Sequence, residues 1–163
     1  MRCWLRDFGH GAFRRPPGRS RLVVDHQRGA VPCQVGDHVA AHVVNAAFWN
    51  AGQNCSATSR LIVHASVKAP LMERIKARLR DWKTGDPLDP GTHIGALIDA
   101  EHCAKVRGFL EKGDKGEGPF IQPVIYDVSA DDAKATDEIF GPVLSVIEVA
   151  SNDEAVEVAN QTD

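Results

Sequence analysis

Apolar side chains recur at a spacing of three or four residues in three parts of the chain, with polar residues between them. In the first part, Val39, Val43 and Ala47 share one face, and an Asn-Ala-Gly sequence ends the pattern. This spacing is typical of helices that bury one side. The residues predicted to cap these three helices are Asp37, Ser66 and Asp99. A capping box, formed by Ser151 and Glu154, predicts a fourth helix near the end of the chain.

Short runs of apolar and β-branched residues predict three strands, at residues 61–64, 120–126 and 143–149. The predicted order along the chain is helix, strand, helix, helix, strand, strand, helix. Strands that are apolar on both faces need helices on both faces of their sheet, and the long connections favour parallel pairing. The predicted fold class is therefore α/β, with a parallel sheet flanked by helices.

The N-terminal segment differs in composition from the rest of the chain. Residues 1–35 carry seven arginines, no lysine and only two acidic residues, Asp7 and Asp25. An arginine-rich arm is compatible with nucleic-acid binding or with an organelle transit peptide. Here prolines and glycines interrupt the arginines, and few aromatic residues are available for stacking on bases. We predict a poorly ordered segment over residues 1–36, an ordered domain over residues 37–163, and no nucleic-acid partner.

Length and composition exclude several other classes of protein. A chain of 163 residues with 43% hydrophobic and 25% charged residues suits one globular domain. Its apolar runs fall short of the roughly 20 residues needed to cross a bilayer, so we predict no membrane partner and a cytoplasmic location. The four cysteines form no CxxC pair and the seven histidines are scattered, which predicts neither a disulfide framework nor a metal site.

Two of the cysteines differ in their sequence setting. Cys103 falls on the apolar face of a predicted helix, where a free cysteine ordinarily packs as a small hydrophobic residue. Cys55 follows a helix end and is surrounded by the polar turn residues of segment 52–59. A thiol in such a turn is accessible to substrate. A reactive cysteine also needs a base and an oxyanion donor, and sequence spacing alone places neither.

Two longer motifs carry a family resemblance. The segment FWNAGQNCSA at residues 48–57, with Arg60 after it, resembles the nucleophile motif of the aldehyde dehydrogenase superfamily. The segment EIFGPV at residues 138–143 is similar to the cofactor-contacting motif of the same family. Segments 86–95 and 118–123 resemble the connecting regions, so that the likeness extends from about Val39 to the end of the chain. It implies that residues 37–163 form part of an aldehyde dehydrogenase catalytic domain.

The resemblance implies specific roles for three residues. Cys55 matches the nucleophile, whose thiolate attacks an aldehyde to give a thiohemiacetal and then, after hydride transfer to NAD or NADP, a thioester that is hydrolysed to the acid. The backbone amide of Cys55 would be one donor to the alkoxide. Glu138 matches the residue that accepts hydrogen bonds from the nicotinamide ribose, and Phe140 matches the aromatic residue beside the nicotinamide ring. An exposed carboxylate and a core aromatic are the ordinary alternatives for these two side chains.

The resemblance also implies that this chain is a truncated piece of such an enzyme. The preceding cofactor domain, the Glu-Leu-Gly-Gly-Lys segment with the general base, and the upstream asparagine of the oxyanion hole have no counterpart in the sequence. The alternative to an oxidoreductase is therefore an inactive fragment that acts as an interaction or structural remnant. Cysteine-dependent acyl transfer without a nicotinamide is a third alternative. Exposed sheet edges would favour a homo-oligomer or association with an intact homologue.

Overall fold

The computed structural model describes residues 20–24, 33–112 and 116–161. The strands are β1 (Ser20–Val24), β2 (Thr58–His64), β3 (Val124–Asp127) and β4 (Val143–Val149). The α-helices are α1 (Cys33–Phe48), α2 (Ala65–Leu79), α3 (Ala100–Arg107), α4 (Ala133–Thr136) and α5 (Asn152–Asn160). A short 3-10 turn, Trp49–Gly52, follows α1. Within these described ranges, no helix has the length and apolar character needed to span a bilayer.

The sheet has the strand order β1-β2-β4-β3, and every pair of neighbours is parallel. This confirms the predicted α/β class with a parallel sheet. Successive side chains of β2 enter different hydrophobic clusters: Leu61 and Val63 pack with α1 and α2, whereas Ile62 packs with α5. The two central strands are therefore covered on both faces, as their continuous apolar sequences predicted.

Two of the predicted helix caps are confirmed. Asp99 Oδ1 accepts a hydrogen bond of 2.7 Å from the amide of His102 at the start of α3. Ser151 Oγ accepts from the amide of Glu154 at 3.1 Å, and the Glu154 carboxylate accepts from the amide of Ala150 at 2.7 Å. Both caps satisfy amides that the first turn of a helix leaves without a partner.

The predicted cap of α2 is wrong. His64, rather than Ser66, precedes the helix, and its ring nitrogen Nδ1 accepts a hydrogen bond of 3.2 Å from the amide of Ser66. The other ring nitrogen, Nε2, lies 2.8 Å from the carbonyl oxygen of Ala150. Because Nδ1 accepts, Nε2 carries the proton and donates. His64 therefore caps α2 and ties it to the end of β4.

Other element boundaries also differ from the predictions. Helix α1 begins at Cys33, one turn before Asp37. Strand β3 begins at Val124 instead of residue 120, because Pro123 has no amide to offer a neighbouring strand. Strand β1 and the four-residue helix α4 were not predicted. Most of the predicted poorly ordered segment, residues 1–36, lies outside the described residues.

Lys68 on α2 joins the helix to two strands. Its Nζ lies 2.5 Å from a carboxylate oxygen of Asp127 at the end of β3 and 3.1 Å from one of Glu148 in β4. Partial burial by itself lowers the pKa of Lys68, but hydrogen bonds and charge attraction from both carboxylates outweigh it and raise the pKa above its ordinary value of 10.5. The folded chain thus holds this proton more tightly than the unfolded chain does.

The contribution of Lys68 to stability is expected to depend on pH. A raised lysine pKa stabilises the fold fully below 10.5, and the stabilisation disappears as pH rises through the raised value. Lys68→Met should cost about 1 kcal/mol of unfolding free energy at neutral pH, and the cost should shrink at high pH. Urea denaturation of the wild type and of Lys68→Met, at a pH below 10.5 and at one above it, measures this difference in unfolding free energy. Lys76→Met, at an exposed position of the same helix, is the control. A cost that stays constant with pH would contradict this assignment.

Candidate active site

Cys55 lies in the loop between the 3-10 turn and strand β2, and its side chain is exposed. Cys103, in contrast, is only 3% exposed and packs inside α3 against the core. The sequence-based distinction between an accessible and a packing cysteine is therefore confirmed for these two residues. Of the two, only the Cys55 thiol is accessible to a reagent from solvent.

The loop reaches this position through three consecutive residues in the left-handed backbone region. Asn50, Ala51 and Gly52 have φ values of 54°, 57° and 69°. The side-chain amide of Asn50 donates to the carbonyl oxygen of Gln53 at 2.9 Å, and the amide of Gln53 donates to the carbonyl oxygen of Asn50 at 3.0 Å. These bonds offset the cost of about 1–2 kcal/mol that each non-glycine residue carries in this conformation.

Asn54 organises the residues that follow it. Its Oδ1 accepts hydrogen bonds from the amide of Ser56 at 3.1 Å and from the hydroxyl of Ser56 at 3.0 Å. The Cys55 thiol donates weakly to the same oxygen at 3.8 Å. The amides of Ser56 and Ala57 both donate to Asn54, whereas the amide of Cys55 has no acceptor within the described part of the chain. The amide of Cys55 is therefore free to donate a hydrogen bond to an oxygen atom placed beside the Cys55 sulfur.

The cysteine loop and the second motif meet at one edge of the sheet. Cys55 comes just before β2 and residues 138–141 come just before β4, and these two strands are parallel neighbours. The amino ends of adjacent parallel strands lie side by side. The resulting cleft, about 30 Å³ in volume, is lined by residues of both motifs, including Asn54, Cys55, Glu138 and Phe140.

The two motifs are in direct backbone contact at Gly52 and Gly141. A Cβ atom placed on Gly52 would overlap the carbonyl oxygen of Gly141, and one placed on Gly141 would lie 2.9 Å from methyl carbons of Val106. Glycine is therefore required at position 52 for the two loops to approach this closely, and at position 141 for the second motif to pack against α3. The close approach fixes the width of the cleft, between the cysteine wall, formed by Asn54 and Cys55, and the Glu138 wall, formed by Glu138 and Phe140.

The side chains of Glu138 and Phe140 are both exposed at the cleft, while Ile139 between them is 5% exposed and anchors the segment in the core. Phe140 has a left-handed φ of 57° and a side chain that is 37% exposed. The carbonyl oxygen of Phe140 lies 2.7 Å from His102 Nε2. The structure thus places the two residues that the resemblance assigned to cofactor binding in the same cleft as Cys55.

Sequence reasoning did not identify Lys134 as a cleft residue. Lys134 belongs to α4, and its carbonyl oxygen accepts a hydrogen bond of 2.7 Å from the buried hydroxyl of Ser145. Its Nζ lies 5.0 Å above the ring centre of Tyr126 and 3.8 Å from a carboxylate oxygen of Asp132. Hydrophobic spacing could not predict α4, because a helix of four residues makes only one turn and contains no repeat of apolar positions.

Arg60, which follows the first motif, lies in the core and outside the cleft. Its side chain is 1% exposed, and its guanidinium donates to the carbonyl oxygens of Val158 and Ala159, each at 3.3 Å. These carbonyls are at the C-terminal end of α5, where the helix dipole attracts a positive charge. Arg60 therefore joins strand β2 to α5.

Comparison with known proteins relates this geometry to a family. The sequence model of the Aldehyde dehydrogenase family matches residues 33–163. The chain is 49% identical over 138 residues to an aminoacetaldehyde dehydrogenase of Pseudomonas aeruginosa, covering 77% of this chain and 28% of that protein. It is 36% identical over 133 residues to a betaine aldehyde dehydrogenase of Rhizobium etli, covering 71% of this chain and 27% of that protein.

The structural comparison agrees with the sequence comparison. A Thermus 1-pyrroline-5-carboxylate dehydrogenase, solved with bound NAD, superposes with a TM-score of 0.76 at 35% identity. The superposition covers 89% of this chain and 29% of that protein, so the chain spans less than a third of the length of the relatives it matches. The matched region includes both cleft motifs. The chain belongs to the aldehyde dehydrogenase family of oxidoreductases.

Proposed function

We propose that this chain supplies the cysteine and nicotinamide-facing walls of an aldehyde dehydrogenase active site, which oxidises an aldehyde to a carboxylic acid with NAD or NADP. The observation that carries the proposal is the position of Cys55: its thiol is exposed and lines the same cleft as Glu138 and Phe140. The 37% exposure of Phe140 is high for so large an apolar ring, and exposed apolar side chains beside a cleft favour a ligand-binding role.

In the proposed reaction, the sulfur of Cys55 loses its proton to solvent, which its exposure permits, and forms a bond to the carbonyl carbon of the aldehyde. The carbonyl π electrons move to oxygen, and the amide of Cys55 donates a hydrogen bond to that charge. When bound, NAD or NADP supplies the acceptor for the hydride that leaves the same carbon. Water then cleaves the thioester to give the acid and regenerates the thiol.

The cleft residues fit the nicotinamide end of such a cofactor. The exposed carboxylate of Glu138 is an acceptor that suits two ribose hydroxyl groups. The exposed face of Phe140 suits the flat nicotinamide ring, whose positive charge in the oxidised cofactor is attracted to an aromatic face. Neither a carboxylate nor an aromatic ring is a donor to phosphate, so we expect residues elsewhere to decide between NAD and NADP. The Thermus relative was solved with NAD, which makes NAD the first cofactor to test.

The names of the relatives suggest a substrate class. The two curated relatives are named for aminoacetaldehyde and betaine aldehyde, both of them small aldehydes that carry a nitrogen substituent. We therefore propose a small amino-substituted aldehyde as the substrate. Aminoacetaldehyde is the first to test, because the relative named for it is 49% identical to this chain.

The test combines labelling with turnover. Iodoacetamide labelling, resolved by residue with mass spectrometry, should modify Cys55 at least about tenfold faster than Cys103, because the thiol of Cys55 is exposed and that of Cys103 is buried. Aminoacetaldehyde and NAD should produce NADH with the wild type and with Cys103→Ser, but not with Cys55→Ser. NADH formation that survives Cys55→Ser, or labelling that favours Cys103, would overturn the proposed mechanism. If labelling is selective but no NADH forms, the accessible thiol stands and this chain is not a dehydrogenase by itself.

A further inference from the structure

We infer that His102 is a positioning residue that holds the backbone and ring of Phe140 in place at the cleft. The importance of this role for catalysis rests on the proposed function. His102 lies on α3, which contains neither sequence motif. Its ring nitrogen Nε2 lies 2.7 Å from the carbonyl oxygen of Phe140. Its ring also packs edge-on against the Phe140 ring, with 6.0 Å between the ring centres. One side chain thus contacts both the backbone and the ring of Phe140.

The backbone of Phe140 needs such a restraint. Its φ of 57° lies in the left-handed region, which costs a residue with a side chain about 1–2 kcal/mol relative to ordinary backbone. Such a conformation persists only where the surroundings hold it. On one side Ile139 is buried in the core, and on the other Gly141 packs against Val106 of α3. The hydrogen bond from His102 restrains the carbonyl oxygen between these two anchors.

The same helix start also holds the cysteine wall. The amide of Ile98, which lies just before the Asp99 cap, donates to the side-chain oxygen of Gln53 at 2.9 Å. Gln53 is part of the loop that leads to Cys55. The segment from Ile98 to His102 therefore contacts both the loop that leads to Cys55 and the segment that carries Phe140. The distance between the sulfur of Cys55 and the ring of Phe140 depends on this segment as well as on the glycine contact.

The chemistry of the bond specifies which replacements should work. A carbonyl oxygen only accepts, so His102 Nε2 must carry a proton and donate. The side-chain amide nitrogen of glutamine lies at about the same distance from the backbone as Nε2 of histidine, and it also donates a hydrogen bond. Phenylalanine keeps the ring contact and has no donor. Glu101, the neighbouring exposed residue on α3, supplies a matched control.

The first experiment measures the mobility of Phe140 by NMR relaxation of the ¹⁵N-labelled chain. The amide order parameter of Phe140 should be about 0.85 in the wild type, in His102→Gln and in Glu101→Gln, and below about 0.6 in His102→Phe. If His102→Phe does not fold, His102→Leu serves as a second variant without a donor, and its Phe140 order parameter should also fall below about 0.6. A rigid Phe140 in a folded donor-free variant, or a mobile one in His102→Gln, would overturn the inference.

The second experiment connects the position of Phe140 to the proposed function. NAD should slow iodoacetamide labelling of Cys55 at least about threefold in the wild type and in His102→Gln, and should have no effect in His102→Phe. Equal protection in His102→Phe would show that the hydrogen bond does not matter for the cofactor, and would overturn the inference. If NAD protects no variant, including the wild type, the proposed cofactor site fails, while the NMR measurement still decides the role of His102.

Discussion

Gly52→Ala is expected to lower the free energy of unfolding by at least about 3 kcal/mol, the largest effect expected of any substitution in the cleft. The added Cβ would overlap the carbonyl oxygen of Gly141, and both groups belong to the backbone, so no side-chain rotation relieves the clash. The φ of 69° at Gly52 adds the ordinary cost of placing alanine in the left-handed region. Urea denaturation of the variant and the wild type measures the loss.

Gly118→Ala is the matched control for this prediction. Gly118 has a similar φ of 56°, but a Cβ atom there would meet no other atom within 4 Å. Its substitution should therefore cost only the backbone term, about 1 kcal/mol. Equal losses for the two variants would mean that the close approach of Gly52 to Gly141 contributes nothing. Gly52→Ala should also change the labelling rate of Cys55, because the loop must move away from residues 138–141.

Arg60→Met is expected to cost about 1–3 kcal/mol, because the buried carbonyl of Ala159 loses its charged donor and that of Val158 keeps only a 3.4 Å bond from the amide of Gln161. Those oxygens belong to Val158 and Ala159 at the end of α5, so the substitution should loosen the helix on the face of the sheet opposite α1 and α2. A buried charge is costly in itself, and a hydrophobic replacement sometimes offsets the loss. Here the carbonyls remain in place, and methionine satisfies neither.

Thermal or urea unfolding measures the effect of Arg60→Met, and two further variants sharpen it. Arg60→Lys keeps the charge but loses the planar fork that reaches two carbonyls, so an intermediate loss is expected. Arg78→Met, at an exposed position of α2, should change stability by no more than about 0.5 kcal/mol. A loss for Arg60→Met as small as that of Arg78→Met would show that the contact with α5 is not important for stability.

The assignment of this role to Arg60 illustrates where motif resemblance stops. The residue was singled out because it follows the cysteine motif in sequence, and the resemblance assigned it no role of its own. In the structure its guanidinium donates to carbonyl oxygens of the last helix, which lie 98 and 99 positions later in the sequence. The motif thus combines residues of two kinds: Cys55 lines the cleft, whereas Arg60 holds the strand that positions it.

The sequence by itself determined the α/β class, the parallel sheet, and the caps at Asp99 and Ser151. These features follow from local rules, because hydrophobic spacing and cap chemistry involve residues within a few positions of one another. The sequence also separated the exposed Cys55 from the buried Cys103, since a polar turn and an apolar helix face differ locally. The roles assigned to Cys55, Glu138 and Phe140 stay predictions.

Only the tertiary structure decided that the two motifs meet. Cys55 and Glu138 share a cleft because β2 and β4 are neighbours in the sheet, although β3 lies between them in sequence. The contact of His102 with Phe140 depends likewise on how α3 packs, and the local sequence around this half-buried histidine does not predict it. Periodicity reports which side of an element is buried. It does not report which distant element packs there, because strand order and helix placement are set by the packing of the whole chain.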